Sequence, residues 1–397
     1  MEVSLIKSKY FVMQLTYMKR LQKHGNSQNV KMFSLDDLKK YTGNILDGLM
    51  IVSGGIDNKK HIDDFEAQYA KGQASFLVNY SMTDAFQKCF NRIFGKQTIY
   101  TLAYKLYANV PIGKFDMTLD LSSLLLMAAL TNKFDLKFTK KFIIPEGLHK
   151  FIDNSLNHEK ISLPTFIDED AYKNFGLKKE EGESPAMTIL KYMESWMEEN
   201  CEYRVAENML QLDFEGARTT NDSFFHIEAE SLVLSINNPI AIISEDWRLS
   251  KSLFHNVRLL NVCAYLYYMG IGDIDAINQY LADLHFAGSM VDENYMFSQY
   301  QKKLQKQSNS FDSCLEGLRV NPWLYEDGLK LAIKILSKRI KLPEDHIVVS
   351  NMISKIIEGL PGNVIPELGN QIKLKGNQEL YNCYLEALKL SRIIITK

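Results

Sequence analysis

The amino-acid sequence predicts an α/β protein in which a three-layer domain with a parallel sheet lies between two mainly helical regions. Between residues 112 and 300, short apolar segments alternate with helical patterns, as expected for parallel strands joined by helical crossovers. Residues 1–111 and 301–397 carry their apolar side chains mostly at helical spacing. We therefore expect three regions, with the α/β domain in the middle and no indication of what the first region does.

The composition is that of an ordinary globular protein that is not embedded in a membrane. The 397 residues include 46 Lys and Arg against 48 Asp and Glu, so the chain lacks the basic excess of a nucleic-acid coat protein. Its five cysteines are widely spaced and form no C-x-x-C pair, which argues against a disulfide framework and a thiolate zinc site. No apolar stretch approaches the roughly 18 residues of a membrane span, and the first residues do not resemble a signal peptide. We expect a cytoplasmic protein.

The first region, residues 1–111, begins with helix signals. Ser34 precedes two acidic residues and an apolar pattern, as an N-cap does, and the segment Ser53-Gly54-Gly55 ends the next element. Apolar side chains then recur at helical spacing from Tyr80 to Leu106. This pattern indicates an aromatic-rich helical core, in which no catalytic motif stands out.

Four apolar segments of the middle region are predicted to be strands. The third of them has no polar alternation, which is typical of a strand covered on both faces in a parallel sheet. Helical patterns follow the first two segments, at residues 121–130 and 146–154, and a longer amphipathic helix starts near Pro185. The predicted strands are Met117–Leu119, Lys141–Pro145, Ile240–Ile243 and Val257–Val262.

The third region is predicted to contain several helices separated by prolines. Apolar residues recur at helical spacing in Leu324–Arg339, and the last helix is predicted at Gln378–Ser391. No repeat of about 20–50 residues is visible, so a solenoid is not expected. The helical regions on both sides of the α/β domain are candidate surfaces for a protein partner.

Acidic side chains follow two of the predicted strands. Asp120 comes directly after the first strand, Asp246 follows the third strand beside Glu245, and Glu228 and Glu230 lie in the helix before that strand. Because the carboxyl ends of parallel strands lie along one edge of a sheet, we expect these acids to converge there. Three or four carboxylates form the usual site for Mg²⁺ or Mn²⁺, and two such ions support phosphodiester hydrolysis. For each acid alone, a helix cap or a surface charge is the alternative interpretation.

The order of these elements resembles the PIN-like domain, a family of metal-dependent ribonucleases that includes many bacterial toxins. The segment LDLSSLLLMAAL (119–130) is similar to the opening strand, aspartate, hydroxyl residue and apolar helix of the family. FIIPEGLHKFID (142–153) is similar to its second strand and helix. EAESLVLSINNPIAIISEDWRLS (228–250) is similar to the penultimate acidic helix, strand and aspartate, and residues 257–288 to the last strand and the helices after it. The resemblance covers residues 112–300, about half of the chain.

This resemblance implies that carboxylates bind Mg²⁺ or Mn²⁺ and that the protein cleaves RNA, in the role of a toxin or defence effector. Carried over by position, the acids are Asp120 first, Glu228 or Glu230 third and Asp246 fourth, and the hydroxyl beside the first acid is Ser122 or Ser123.

The second acid of the family pattern is missing. His149 and Lys150 occupy its position, where a lysine would repel a cation, although Glu146 lies one turn earlier and could replace the acid. Two function classes therefore stay open. One is an active endoribonuclease, and the other is a catalytically degraded relative that acts as a binding or scaffold module through its helical flanks.

Candidate RNA contacts lie beside Asp246. Trp247 could stack on a base and Arg248 could bind a phosphate, although packing at the domain edge is the commoner role of such a tryptophan. An RNA path also requires cationic side chains, such as Lys251 and Arg258, along the carboxylate edge. The sequence contains no H-E-x-x-H, G-x-S-x-G or phosphate-loop motif that would support another enzyme class.

Overall fold

The computed structural model of the chain describes residues 66–71, 85–107, 111–161, 167–178, 182–206, 230–235, 238–247, 259–289, 291–306, 310–338 and 341–391. The chain divides into two compact units, residues 1–67 and 68–397. All described residues except 66 and 67 belong to the second unit. The helix signals predicted at Ser34 and at residues 53–55 lie outside the described residues.

Five of the described strands form one parallel sheet, which confirms the predicted α/β class. Their spatial order is β4–β3–β2–β5–β6, and each neighbouring pair is parallel. The two remaining strands, β1 and β7, pair with each other in parallel as a small second sheet. The strands are β1 (Ile99–Tyr100), β2 (Asp116–Leu119), β3 (Phe142–Pro145), β4 (Cys201–Arg204), β5 (Ile240–Ile243), β6 (Leu259–Leu260) and β7 (Phe286–Ala287).

The apolar strands are where the sequence pattern predicts them. β2, β3 and β5 match the first three predicted strands, and β5 is buried at all four positions, as expected for a strand covered on both faces. The fourth is confirmed at Leu259–Leu260, while Val257 and Arg258 lie outside the described residues. The sequence pattern does not predict β4, because this edge strand buries only Cys201 and so lacks an apolar run.

The described helices are numbered α1 to α13, and none of them is both long and apolar enough to cross a membrane. The helices predicted to start at Leu121, Glu146, Pro185 and Gln378 begin at these residues. Their bounds are α1 Ala85–Phe94, α2 Leu121–Phe134, α3 Glu146–Ile161, α4 Glu169–Phe175, α5 Pro185–Asn200, α6 Val262–Met269, α7 Ile274–Asp283, α8 Glu293–Leu304, α9 Ser310–Val320, α10 Tyr325–Leu336, α11 Pro343–Gly359, α12 Ile365–Leu374 and α13 Gln378–Leu390.

The helical pattern predicted across Tyr80–Leu106 is helical in α1 and then changes to the strand β1 and a 3-10 turn at Tyr104–Tyr107. The α1 helix packs its aromatic side chains together, with the rings of Phe90 and Phe94 4.8 Å apart between centroids. The expected aromatic-rich helical core is therefore present over residues 85–94.

Contacts within the second unit cross both of the predicted region boundaries. β1 pairs with β7, and Ala103 lies in one buried cluster with side chains of α8 to α13. The helix α8 continues across residue 300. The sheet and the C-terminal helices therefore belong to the same compact unit.

Candidate carboxylate site

The acids that follow β2 and β5 lie where the direction of the sheet order reverses. From β2 the chain adds β3 and β4 on one side, and it then returns to place β5 and β6 on the other side. In an open parallel sheet, ligands bind beyond the carboxyl ends of the strands at this reversal. Leu119 pairs with Ile243, so Asp120 lies level with Ser244, directly before Glu245 and Asp246.

Asp120 is the N-cap of α2 and is almost completely buried. Its Oδ1 accepts hydrogen bonds from the Ser123 amide at 2.8 Å and from the Ser122 hydroxyl at 2.7 Å. Its Oδ2 is also buried and accepts no hydrogen bond from any described residue. Both the cap interpretation and the edge position predicted for this acid are confirmed by its geometry. A buried carboxylate oxygen without a partner is costly, which makes Oδ2 a candidate ligand atom.

Two serine hydroxyls connect the ends of β2 and β5. The Ser122 hydroxyl donates its proton to Asp120 Oδ1 and accepts from the Glu245 amide at 3.0 Å. The Ser123 hydroxyl accepts from the Asp120 amide at 3.0 Å and lies 2.6 Å from the Ile243 carbonyl oxygen. Each hydroxyl has a single proton, so both serines are occupied in holding the two strand ends together. Both hydroxyls lie beside Asp120, as predicted, but both serines are completely buried.

Glu245 is a second buried acid, and it is coupled electrostatically to Asp120. Its side chain is 2 % exposed, and its Oε1 accepts a hydrogen bond from the Val262 amide at 2.7 Å. Burial, together with the negative charge of Asp120, raises the pKa of Glu245 to about 8. Burial also raises the pKa of Asp120, although the hydrogen bonds from Ser123 and Ser122 and the nearby Ser244 hydroxyl partly offset this effect. Glu245 is visible in the sequence beside Asp246, but only the pairing of β2 with β5 selects it.

Asp246 and Trp247 are buried next to this pair. Asp246 is completely buried, and its amide donates to the Ser244 hydroxyl at 3.0 Å. Trp247 is 3 % exposed, and its ring centroid lies 6.3 Å from that of Tyr100 in β1. Trp247 is therefore packed in the interior, which is the role predicted as the alternative to stacking on a base. Arg248, Lys251 and Arg258 lie outside the described residues.

The carboxylate of Glu230 lies against the first turn of α3, the helix that follows β3 directly. Its Oε2 accepts a hydrogen bond from the Gly147 amide at 2.9 Å, where a carboxylate interacts favourably with the helix dipole. One turn into α3, Lys150 forms an ion pair with Glu146 at 2.8 Å. This glutamate is the one that could replace the missing second acid, and in the structure its charge is balanced by the lysine. Glu228 lies outside the described residues.

Within the part of the chain that the structure describes, no three His, Cys, Asp or Glu side chains are grouped closely enough to hold a metal ion. The described members of the predicted cluster, Asp120, Glu230 and Asp246, thus do not form such a group by themselves. The two acids that the structure couples are Asp120 and Glu245, which combine two buried carboxyl groups with one oxygen, Asp120 Oδ2, that accepts no hydrogen bond from a described residue.

Comparison of this chain with protein-family models, with curated proteins and with solved structures finds no match in any of the three.

Proposed function

We propose that this chain is a cytoplasmic PIN-like endoribonuclease, a toxin or defence effector, that hydrolyses RNA phosphodiesters with Mg²⁺ or Mn²⁺ held at Asp120 and Glu245. The observation that supports it best is the buried Asp120 Oδ2, which accepts no hydrogen bond from a described residue, beside a second buried carboxyl group. The order of the five parallel strands and the position of both acids at its reversal agree with a ligand site of this kind. The three-layer arrangement of a PIN-like domain is part of the same proposal.

The electrostatics of the pair favour a cation. Burial, and after it the charge of Asp120, raises the pKa of Glu245, so this carboxyl holds its proton until about pH 8 and the two acids avoid the repulsion of two buried charges. A divalent cation between them would replace that repulsion with attraction and would release the proton. Cation binding to this pair should therefore strengthen as the pH rises from 6 to 8.

The residues of the chain hold the two carboxyl groups in fixed orientations. Ser122 and the Ser123 amide fix Asp120 Oδ1, which leaves Oδ2 for a ligand, and the Val262 amide fixes Glu245 Oε1. A bound Mg²⁺ or Mn²⁺ would supply a water of lowered pKa and would stabilise charge on the leaving oxygen of the phosphodiester. Glu228, Glu230 and Asp246 stay candidates for completing the ligand set.

The test combines a thermal melt with a cleavage assay. Mn²⁺ at about 100 times its dissociation constant should stabilise the wild type by about 2.7 kcal/mol, and Asp120→Asn should lose most of this increment. The matched control is Asp135→Asn, because Asp135 is an exposed acid at the other end of α2 with a left-handed backbone that asparagine adopts readily. Cleavage of unstructured RNA should disappear in Asp120→Asn and persist in the control.

One alternative is supported by a specific observation. Lys150, at the position of the second acid, is paired with Glu146, and the described residues contain no three-acid group. A degraded relative that acts as a binding or scaffold module would show no RNA cleavage by the wild type. A Mn²⁺-dependent shift without cleavage would assign the carboxylate pair a structural metal, and the absence of both would refute the proposed enzyme.

A further inference from the structure

The outer edge of strand β4 pairs with no other strand in the part of the chain that the structure describes. β4 ends the five-stranded sheet and pairs on its inner side with β3. An edge strand presents unpaired N–H and C=O groups, so it is a template for one more strand. At the opposite end of the sheet, β6 is only two residues long and both of them are buried. β4 is therefore the edge at which the described sheet can be extended.

The side chains of this edge are exposed and mixed in character. Glu202, Tyr203 and Arg204 are exposed, and Val205, directly after the strand, is 64 % exposed. Because successive side chains point to opposite faces of a sheet, Glu202 and Arg204 lie on one face and Tyr203 on the other. The Tyr203 ring lies against His149 of α3, with 4.0 Å between centroids, and the tyrosine is still 43 % exposed. Two exposed large apolar side chains thus lie at this edge.

The two charged side chains of the edge have opposite signs and are two residues apart. Glu202 and Arg204 form an ion pair within the strand at 2.8 Å, and Arg204 also lies 3.8 Å from Asp116. All three side chains are more than 40 % exposed, and ion pairs between exposed side chains contribute little free energy in water. Glu202 and Arg204 can therefore exchange these contacts for charges on an approaching strand.

The pattern Glu202-Tyr203-Arg204 is complementary to itself when the second strand runs antiparallel. Directly opposite residues point to the same face, so a two-fold axis perpendicular to the sheet pairs one residue with its own copy. An axis at Glu202 would set two glutamates opposite each other, and an axis at Arg204 would do the same with two arginines. An axis at Tyr203 sets Glu202 of each copy opposite Arg204 of the other and pairs the two tyrosines. Of these three registers, only the last has opposite charges at both positions.

We propose that two copies of this chain dimerise through the edge of β4, by antiparallel pairing centred on Tyr203. The five strands of each copy then form one continuous sheet. Because the strands of the second copy run in the opposite direction, the two carboxylate sites lie at opposite edges of that sheet. A four-residue edge buries a small area, so the dimer is weak, with a dissociation constant in the micromolar range. The inference does not depend on the ribonuclease proposal.

Sedimentation velocity of the full chain, from low to high micromolar concentration, measures the dimer. The wild type should change from monomer to dimer as the concentration rises. Glu202→Arg and Arg204→Glu each set like charges opposite each other and should weaken the dimer by about tenfold. The control is Glu386→Arg, which reverses an exposed carboxylate of α13 and should dimerise as the wild type does. Circular dichroism checks that each variant is folded.

The second part of the experiment mixes the two single variants. Glu202→Arg has two arginines at the edge and Arg204→Glu has two glutamates, so an equimolar mixture should form a heterodimer that is tighter than either homodimer and weaker in high salt. The double replacement of Glu202→Arg with Arg204→Glu restores alternating charges and should dimerise as the wild type does.

Three outcomes would overturn the proposal. A wild type that stays monomeric at every concentration would leave the edge of β4 to a strand of another protein. A dimer that both single variants form as tightly as the wild type would place the interface elsewhere. A mixture of the two variants without a heterodimer would contradict the register centred on Tyr203.

Discussion

The replacement Glu245→Gln tests the buried carboxyl pair through the pH dependence of stability. Glutamine keeps an oxygen for the Val262 amide but cannot ionise. In the wild type, the pKa of Glu245 rises from 4.5 in the unfolded chain to about 8 in the native state, first because of burial and then because of Asp120. Between these two values the native state holds a proton that the unfolded state has released, so the free energy of unfolding falls as the pH rises.

The size of the effect follows from that interval. At roughly 1.36 kcal/mol per pKa unit, a shift from 4.5 to about 8 corresponds to at most about 5 kcal/mol. We expect wild type and Glu245→Gln to be about equally stable below pH 4.5 and the variant to be the more stable one by several kcal/mol at pH 8. Addition of Mn²⁺ at pH 8 should narrow this difference, because the cation stabilises the charged form of the wild type only.

Urea unfolding at half-unit steps from pH 4 to pH 9, without divalent cations, measures the two curves. The replacement Glu199→Gln, at an exposed position of α5, controls for the loss of one surface carboxylate. Parallel curves for wild type and Glu245→Gln would refute the reasoning, since they would mean that Glu245 ionises alike in the native and unfolded states.

Three further predictions concern contacts that hold the unit together. Lys338 forms an ion pair with the buried Asp345 at 2.8 Å, and Lys338→Met should cost about 3 kcal/mol at pH 7 in urea unfolding. Burial opposes the charge of Asp345, but hydrogen bonds from Leu342, Lys338 and Tyr300 outweigh it and lower its pKa, so the effect should shrink as the pH falls below 3.8. A Cβ at Gly147 would lie 2.5 Å from Glu230 Oε2. Gly147→Ala should therefore displace this capping carboxylate and lower the stability by about 1 kcal/mol, measured as a fall in the melting temperature. In a protein that already carries Glu230→Ala, Gly147→Ala should have no such effect. Gly288 has φ +113°, and a Cβ there would lie 2.1 Å from the Thr101 carbonyl oxygen. Gly288→Ala should therefore destabilise the unit by about 3 kcal/mol in urea unfolding. A variant as stable as the wild type would contradict this close approach.

The local patterns of the sequence were sufficient for most elements of the sheet. Buried runs such as Ile240–Ile243 are strands because no polar residue interrupts them, and Asp120 with Ser123 forms the capping box that starts α2. The pattern at Cys201–Arg204 is different, since this edge strand exposes three of its four residues. Its place in the sheet comes from pairing with β3 and not from its own apolar side chains.

The sequence by itself placed acids after β2 and β5 and predicted that these strands end at one edge. Which acids meet was decided by the tertiary structure, because the register Leu119 with Ile243 sets Asp120 beside Ser244 and brings Glu245 into electrostatic contact with it. Local patterns depend on a few neighbouring residues, whereas register and hydrogen bonding depend on distant segments packed together.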